Sequence, residues 1–295
     1  KYKKIWTDQG SPLLLHSMDI ASAVQQKLST HLSGNTHVEL AMSYSNPLIE
    51  NALENMYRQC VRRLLVLPLY PQYSGTTTGS VFDTVTAALS RRRWVPELHF
   101  VNHYHDSAEY ISAIAASIRD FWALHGNSER LLFSFHGLPL RTLKKGDPYH
   151  CQCQKTARLV AESLGLDEVN WQISFQSRIG RAEWLRPYTD ETIRNWGSEK
   201  ASKIDVVCPG FAVDCLETLE EIAIGYKSDF IAAGGGELRY IPALNARDDH
   251  ISFLSHLIEK NVAGWPEASP DWSLPETTRE MDQSLQRART MGAKH

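Results

Sequence analysis

The chain reads as an α/β protein: two Rossmann-like lobes, each with a parallel sheet of four-stranded type flanked by helices, and a cleft between them. Three observations point there. Short, continuously apolar runs alternate with amphipathic helical stretches, the signature of parallel sheets built from strand–helix units. The runs lack polar alternation, as strands do when helices cover both faces of a sheet. And two segments share one design, RRLLVLPLYPQYSGTTTGSVFDTV and KIDVVCPGFAVDCLETLEEI: strand, proline, aromatic, short polar loop, helix.

In order along the chain, the expected strands are His37–Tyr44, Arg63–Tyr70, Leu131–His136, Asn170–Ser177, Lys203–Gly210 and Glu237–Leu244. The clearest helical periods fall over Pro47–Gln59, Ala108–Leu124 and Cys151–Leu164, where apolar residues recur at three- and four-residue steps. The repeated design divides the chain into a first lobe over residues 1–120 and a second over 121–258, changing over near 118–130. Residues 259–295 form a C-terminal extension, whose prolines and polar groups suggest a surface-hugging or partly disordered segment.

Bulk composition excludes several classes. At 295 residues with 42% hydrophobic and 22% charged side chains, the chain can bury a large core. A formal charge of -3 argues against non-specific nucleic-acid binding. No apolar run approaches the roughly 20 residues that span a bilayer. The opening KYKKIWTDQG is basic but has no apolar stretch behind it, so no signal peptide is expected, and a start other than Met suggests processing, truncation or internal numbering. Five scattered cysteines suggest a reducing, cytoplasmic setting, and His150-Cys151-Gln152-Cys153 has no second knuckle to complete a zinc ribbon.

Ligands of open α/β sheets bind beyond the carboxyl ends of the strands. There the chain places His136, which closes LLFSFH before Gly137 and Leu138-Pro139; Tyr70, Gln72 and Tyr73; the hydroxyl-rich loop Ser74–Ser80; and PGFAVDCLETLEE. An α-helix starting near Val213 would put Asp214, Glu217 and Glu221 on one face and Leu216, Leu219 and Ile222 on the other. That row is either a solvated acidic face with Asp214 as N-cap or the partner of His136. A neutral imidazole opposite carboxylates can bind a divalent cation, or take up protons and pass them to water. The loop SGTTTGS opens a helix and could cradle a phosphate, although it lacks the ending of a P-loop. Trp184 stands in a polar loop, suited equally to core packing or to stacking on a ligand.

Together SFHGLP, LPLYPQYSGTTTGS, FQSRIGRAEWLRPYTDE, VVCPGFAVDCLETLEE and RYIPALN resemble, in order, the ferrochelatase family, the bacterial type without an iron–sulfur cluster. The resemblance implies a lyase that inserts Fe²⁺ into protoporphyrin IX, giving protoheme and two protons in heme biosynthesis. It implies His136 as the active-site imidazole and Glu217 as the carboxylate across the cleft, both reaching the metal. Asp214 and Glu221 become a path for protons or metal. Tyr44, Tyr70, Trp184, Ser11 and Pro12 become porphyrin contacts. Porphyrin and ferrous iron are the implied substrates. A peripheral contact with the inner membrane face is conceivable and nucleic acid is not expected; the oligomeric state stays open.

The resemblance has departures. Relatives commonly begin with a strand ending in an N-L-G-x-P-like turn that has no counterpart here, so a first lobe short of its leading strand is expected. Many carry arginine where Ser43 stands and histidine where Cys215 stands. Gly75 stands where one cluster cysteine would be and none follows Cys215, so no [2Fe–2S] cluster is expected. Two alternatives remain open: a cobalt or nickel chelatase of the same fold, and a tetrapyrrole-binding protein without turnover.

Overall fold

The computed structural model describes residues 2–269, 271–272 and 274–293. Its order begins with α1 (Pro12–His31), α2 (Ile49–Arg58), β1 (Arg63–Val66), α3 (Thr78–Leu89), β2 (Glu97–Phe100) and α4 (Ala108–His125). It continues with β3 (Arg130–His136), α5 (Leu140–Lys144), α6 (Tyr149–Leu164), β4 (Trp171–Gln176), α7 (Thr189–Ser198) and β5 (Lys203–Val207). A π-helix (Glu217–Tyr226), α8 (Lys227–Ala232), β6 (Glu237–Tyr240), α9 (Asp248–Val262) and α10 (Leu274–Thr290) complete it. Every strand pairing is parallel. β1 pairs with β2, and the second sheet runs β4-β3-β5-β6. The expected α/β class with parallel sheets between helices is what the chain forms.

The second sheet follows from its sequence. Leu131–Phe135 is buried throughout, with α6 and α4 on one side of the sheet and α7 and the π-helix on the other. Within this apolar layer Asp205 is fully buried. It is paired with Arg239 at 2.7 Å and accepts the indole N–H of Trp122, so its charge is matched. The first sheet departs from expectation. The stretch His37–Tyr44 is not a strand: residues 35–41 have no ladder partner, and Met42 makes only an isolated bridge to Leu48. A strand exists only against a neighbour, and here the free flank of β1 faces a cavity of about 800 Å³ lined by Val38, Leu40, Leu64 and Val66. Glu97–Phe100 forms β2 instead, a four-residue edge strand with too little apolar sequence to stand out.

Buried hydrogen bonds tie the loop after β1 to the elements around the second sheet. Gln72 donates to Thr156 and to the carbonyl of Pro209, which also accepts the Tyr110 hydroxyl. The backbone N–H of Tyr73 donates to the Gln152 side chain. α9 packs on α1, α4 and β1. The tail, expected to be surface-hugging or partly disordered, hugs the first sheet in its described part: Glu267 pairs with Arg63, Trp265 donates to Glu97, and α10 follows. Pro270, Ser273, Lys294 and His295 lie outside the described residues.

Candidate active site

His136 ends β3, in register with Gln176 at the end of β4. Tyr149 fixes its backbone by donating to its carbonyl at 2.9 Å. The ring stands edge-on to Phe211, 6.3 Å between centroids, and makes no hydrogen bond to a described residue. Burial pulls its pKa below the usual value, and the carboxylates of Glu217 and Glu221 oppose that pull. The imidazole is therefore neutral near pH 7 and sits within the field of two negative groups.

The next residue must be glycine. A Cβ at Gly137 would lie 2.6 Å from the Gln176 carbonyl oxygen and 3.2 Å from the Trp184 ring. Trp184 is held there because residues on either side of it pair with the strand-end loop: Leu140 N–H donates to Glu183 O, and Leu185 N–H to Leu138 O. Its Nε1 is a buried donor without a partner among the described residues. Sequence weighed packing against ligand stacking for this residue; the structure lays it against the backbone beside His136, with one donor to spare.

The acidic segment differs from the expected α-helix. From Glu217 to Tyr226 it is a π-helix, with i→i+5 hydrogen bonds, a form found mostly in short pieces at functional sites. Glu217 and Glu221 both remain near His136, but Asp214 does not join them in a solvent-facing ridge. Asp214 is buried, and its carboxylate accepts from Tyr240 Oη at 2.6 Å, Thr218 Oγ1 at 2.9 Å and Asn245 Nδ2 at 2.7 Å. It anchors the entry to the π-helix. Glu221 is held just as firmly. Ser177, in a left-handed backbone conformation at φ 63, directs both its N–H and its hydroxyl to it, at 2.9 and 2.6 Å. Tyr226 donates at 2.7 Å, and burial keeps that phenol protonated.

Sequence reasoning missed Gln176, Ser177 and Tyr226. Gln176, nearly fully buried, accepts from Ser134 and donates to the Glu217 carbonyl, joining the His136 strand to the acidic helix. The signal was present: a Gln-Ser pair closing an apolar strand needs a polar partner inside. Beyond Glu221 a polar pocket of about 360 Å³ opens to the outer surface, lined by Arg178, Asp190, Glu220 and Asp229.

Other expectations resolve as follows. Tyr70 follows β1 and is partly buried, which raises its pKa; Tyr44 and Glu217 add to the rise. Tyr44 is 87% exposed. Both line one end of the cavity beside β1, together with Phe211 and Cys215, whereas His136, Trp184 and Glu217 do not. Cys215 is buried and its thiol is pushed up by burial and by Glu217. Ser11 and Pro12 are the cap and first residue of α1, and no hydrogen bond among the described residues links them to His136. The loop Ser74–Ser80 is no empty phosphate cradle. The Asp147 carboxylate already occupies it, accepting from the Ser74 hydroxyl and the Gly75 N–H, each at 2.9 Å. Cys151 is exposed and Cys153 buried on α6, while His150 stacks on Phe175, so the three do not converge as zinc ligands.

The parallel sheet thus ends in an imidazole near two carboxylates, and solved structures show that the fold is of the chelatase type. The chain is similar to SirB from Bacillus subtilis, solved with Fe³⁺: TM-score 0.61 and 15% identity over 89% of this chain and 96% of that one. It is similar also to the sirohydrochlorin chelatase SirB from Bacillus subtilis subspecies spizizenii in complex with cobalt, at TM-score 0.57 and 14% identity over 86% and 93% of the chains. The ferrochelatase family model matches residues 1–262, and the chain belongs to that family. Among curated ferrochelatases it is 52% identical to that of Thioalkalivibrio sulfidiphilus and 51% to that of Nitrosococcus oceani, in each case over 99% of this chain and 79% of the relative. Membership makes it a lyase that inserts iron into protoporphyrin in heme synthesis. No helix among the described residues is long and apolar enough to cross a membrane.

Proposed function

We propose that His136 receives the pyrrole protons as Fe²⁺ enters the macrocycle, that Glu217 faces it across the ring, and that Glu221 carries charge between this pair and the outer polar pocket. The observation that carries this reading is the placement of His136: at the end of β3, without a hydrogen bond to another described residue, near Glu217 and Glu221, with burial pulling its pKa down. Metallation replaces two N–H protons by one divalent cation. The site needs a base that is uncharged at working pH and negative groups that stabilise the imidazolium once formed. Glu221 has both oxygens engaged by donors, which fixes its orientation, and it lines the outer pocket as well as facing His136. Asp214 supports this path as an anchor of the helix.

Trp184, Phe211 and Tyr70 offer aromatic surface to the flat macrocycle, and the spare Trp184 N–H suits an acceptor on a bound substrate. We also propose that the enzyme works without a [2Fe–2S] cluster and in a reducing cytoplasm. Three of its five cysteines are buried free thiols and two are exposed, and the one potential metal cluster among the described residues contains no cysteine. Division into lobes at 1–120 and 121–258 with an extension over 259–295 belongs to the same proposal, supported by the separate sheets.

Glu217→Gln tests the roles. It preserves shape and removes the charge that raises the His136 pKa, so that pKa should fall further. The acid limb of kcat/KM then moves to lower pH, and kcat falls about 10- to 100-fold. Steady-state iron insertion followed by loss of porphyrin fluorescence reads both. An unchanged acid limb at parental kcat would reduce the acidic helix to a solvated face. One stoichiometric change instead of many turnovers would favour a tetrapyrrole-binding protein, and faster insertion of Co²⁺ or Ni²⁺ than of Fe²⁺ the other chelatase reading.

A further inference from the structure

The loop leaving β2 carries a second group of metal-competent side chains that chemistry at His136 does not use. His103, His105 and Asp106 bring two ring nitrogens and a carboxylate oxygen within 4.8 Å of one another. We propose that these three residues bind a first-row divalent transition cation at a site separate from the insertion centre.

The local sequence explains the convergence. His103 and Tyr104 end the stretch that leaves β2, and His105 and Asp106 form a turn before α4, which brings the His105 ring back beside that of His103. Tyr104 is buried against Tyr110 and Phe253, with ring centroids 5.3 and 5.5 Å away. The backbone is pinned on both sides: Tyr104 N–H donates to Pro71 O, Thr156 Oγ1 donates to His105 O at 2.8 Å, and Ser107 N–H closes onto Tyr104 O. The two imidazoles are thus presented by a fixed loop, 4.9 Å between centroids.

A second observation points to a ligand. His105 is 5% exposed, and its Nδ1 is buried without a hydrogen-bond partner among the described residues. A buried polar nitrogen is normally satisfied, and one that is not calls for an explanation such as an ion. Asp106 Oδ1 lies 3.8 Å from it, too far for a hydrogen bond. That spacing is close to the roughly 3.4 Å between two ligand atoms sharing a tetrahedral ion with bonds of about 2.1 Å. Exposed His103 completes three ligands and leaves a fourth position to water. Two imidazoles and one carboxylate favour zinc, cobalt or ferrous iron over magnesium or calcium. Lys155 holds the other Asp106 oxygen at 2.6 Å. It orients the carboxylate, yet its charge opposes an incoming cation. The trio shares no hydrogen bond or ion pair with His136, Glu217 or Glu221 among the described residues, and it stands at the carboxyl end of the other sheet.

Calorimetric titration of the full chain with Co²⁺ alone, monitored also by its visible absorption, tests the site. The parent and His136→Ala are compared with the same chains carrying His103→Ala, a substitution at an exposed position. The expected result is one equivalent of Co²⁺ retained in His136→Ala and weakened at least tenfold when His103→Ala is added. Lys155→Met should tighten that equivalent several-fold, because it removes the competing charge. Loss of all binding in His136→Ala, an affinity indifferent to His103→Ala, or weaker binding in Lys155→Met would each overturn the proposal. None of these readouts depends on iron insertion, so failure here leaves the catalytic assignment untouched.

Discussion

His136→Ala lowers the rate of iron insertion by about 10²- to 10⁴-fold, the range over which a positioned general base acts. The fold should survive. The groups that organise this strand end are backbone atoms, the His136 carbonyl that Tyr149 grips and the Gly137 N–H that donates to Gln176, and alanine keeps both. What disappears is a neutral nitrogen facing the cleft and one edge contact with Phe211. Porphyrin binding, measured by fluorescence quenching without metal, should stay near the parental value because Trp184, Phe211 and Tyr70 remain. A drop in turnover together with a matching loss of porphyrin affinity would assign His136 to binding and sink its role as base.

The same residue sets a pH dependence of known sign. Its folded pKa lies below the unfolded value of about 6.5, because burial outweighs Glu217 and Glu221. As pH falls below about 6.5, the unfolded chain takes up this proton before the folded one, so stability contributed by the neutral ring is lost towards the folded pKa. Activity should follow the imidazole too, with its acid limb below 6.5. Parental and His136→Ala melting temperatures should therefore diverge less at pH 5 than at pH 7.5.

Much of this was legible in the sequence because burial on both faces writes itself as continuous apolar runs. Leu131–Phe135, interrupted only by Ser134, and Ile204–Val207, interrupted only by Asp205, could be little else. Where the outcome depended on a neighbour distant in sequence, local pattern failed. VELAMSY has strand composition, yet a strand needs an adjacent strand, and that flank of β1 faces a cavity. LETLEEIAIG fits an α-helical period as well as a π-helical one, since four-residue steps keep Glu217 and Glu221 together in either winding. Family resemblance pointed to His136 and Glu217, whereas the clamp on Glu221 rests on Ser177 in a left-handed backbone conformation and on Tyr226. Sequence reasoning passed over VNHYHD, and the structure shows that the His105 Nδ1 lacks a partner among the described residues.

Asp214 separates a structural carboxylate from a conducting one. Asp214→Ala strands the Tyr240 hydroxyl, the Thr218 hydroxyl and the Asn245 amide in a buried site, each having donated to this carboxylate. Unsatisfied buried groups cost about 1–3 kcal/mol each before relaxation, so a net loss of about 3 kcal/mol is expected, or a fall in Tm of roughly 6–12 °C. Turnover should fall as well, because the helix that begins at Glu217 loses its anchor, but its pH profile should keep the parental shape. Asp214→Asn sharpens the distinction. It retains one oxygen for Tyr240 and Thr218 while turning an amide towards Asn245, so its Tm should lie between parent and alanine, with kcat tracking Tm. A residue that relays protons would behave in the opposite way: Asn would abolish turnover at nearly parental Tm, since an amide fills the space yet cannot exchange a proton near neutral pH. Thermal unfolding and iron insertion measured on the same two variants decide between an anchor and a conduit, and four donors converging on one buried carboxylate, the Ala243 N–H at 3.4 Å being the fourth, favour the anchor.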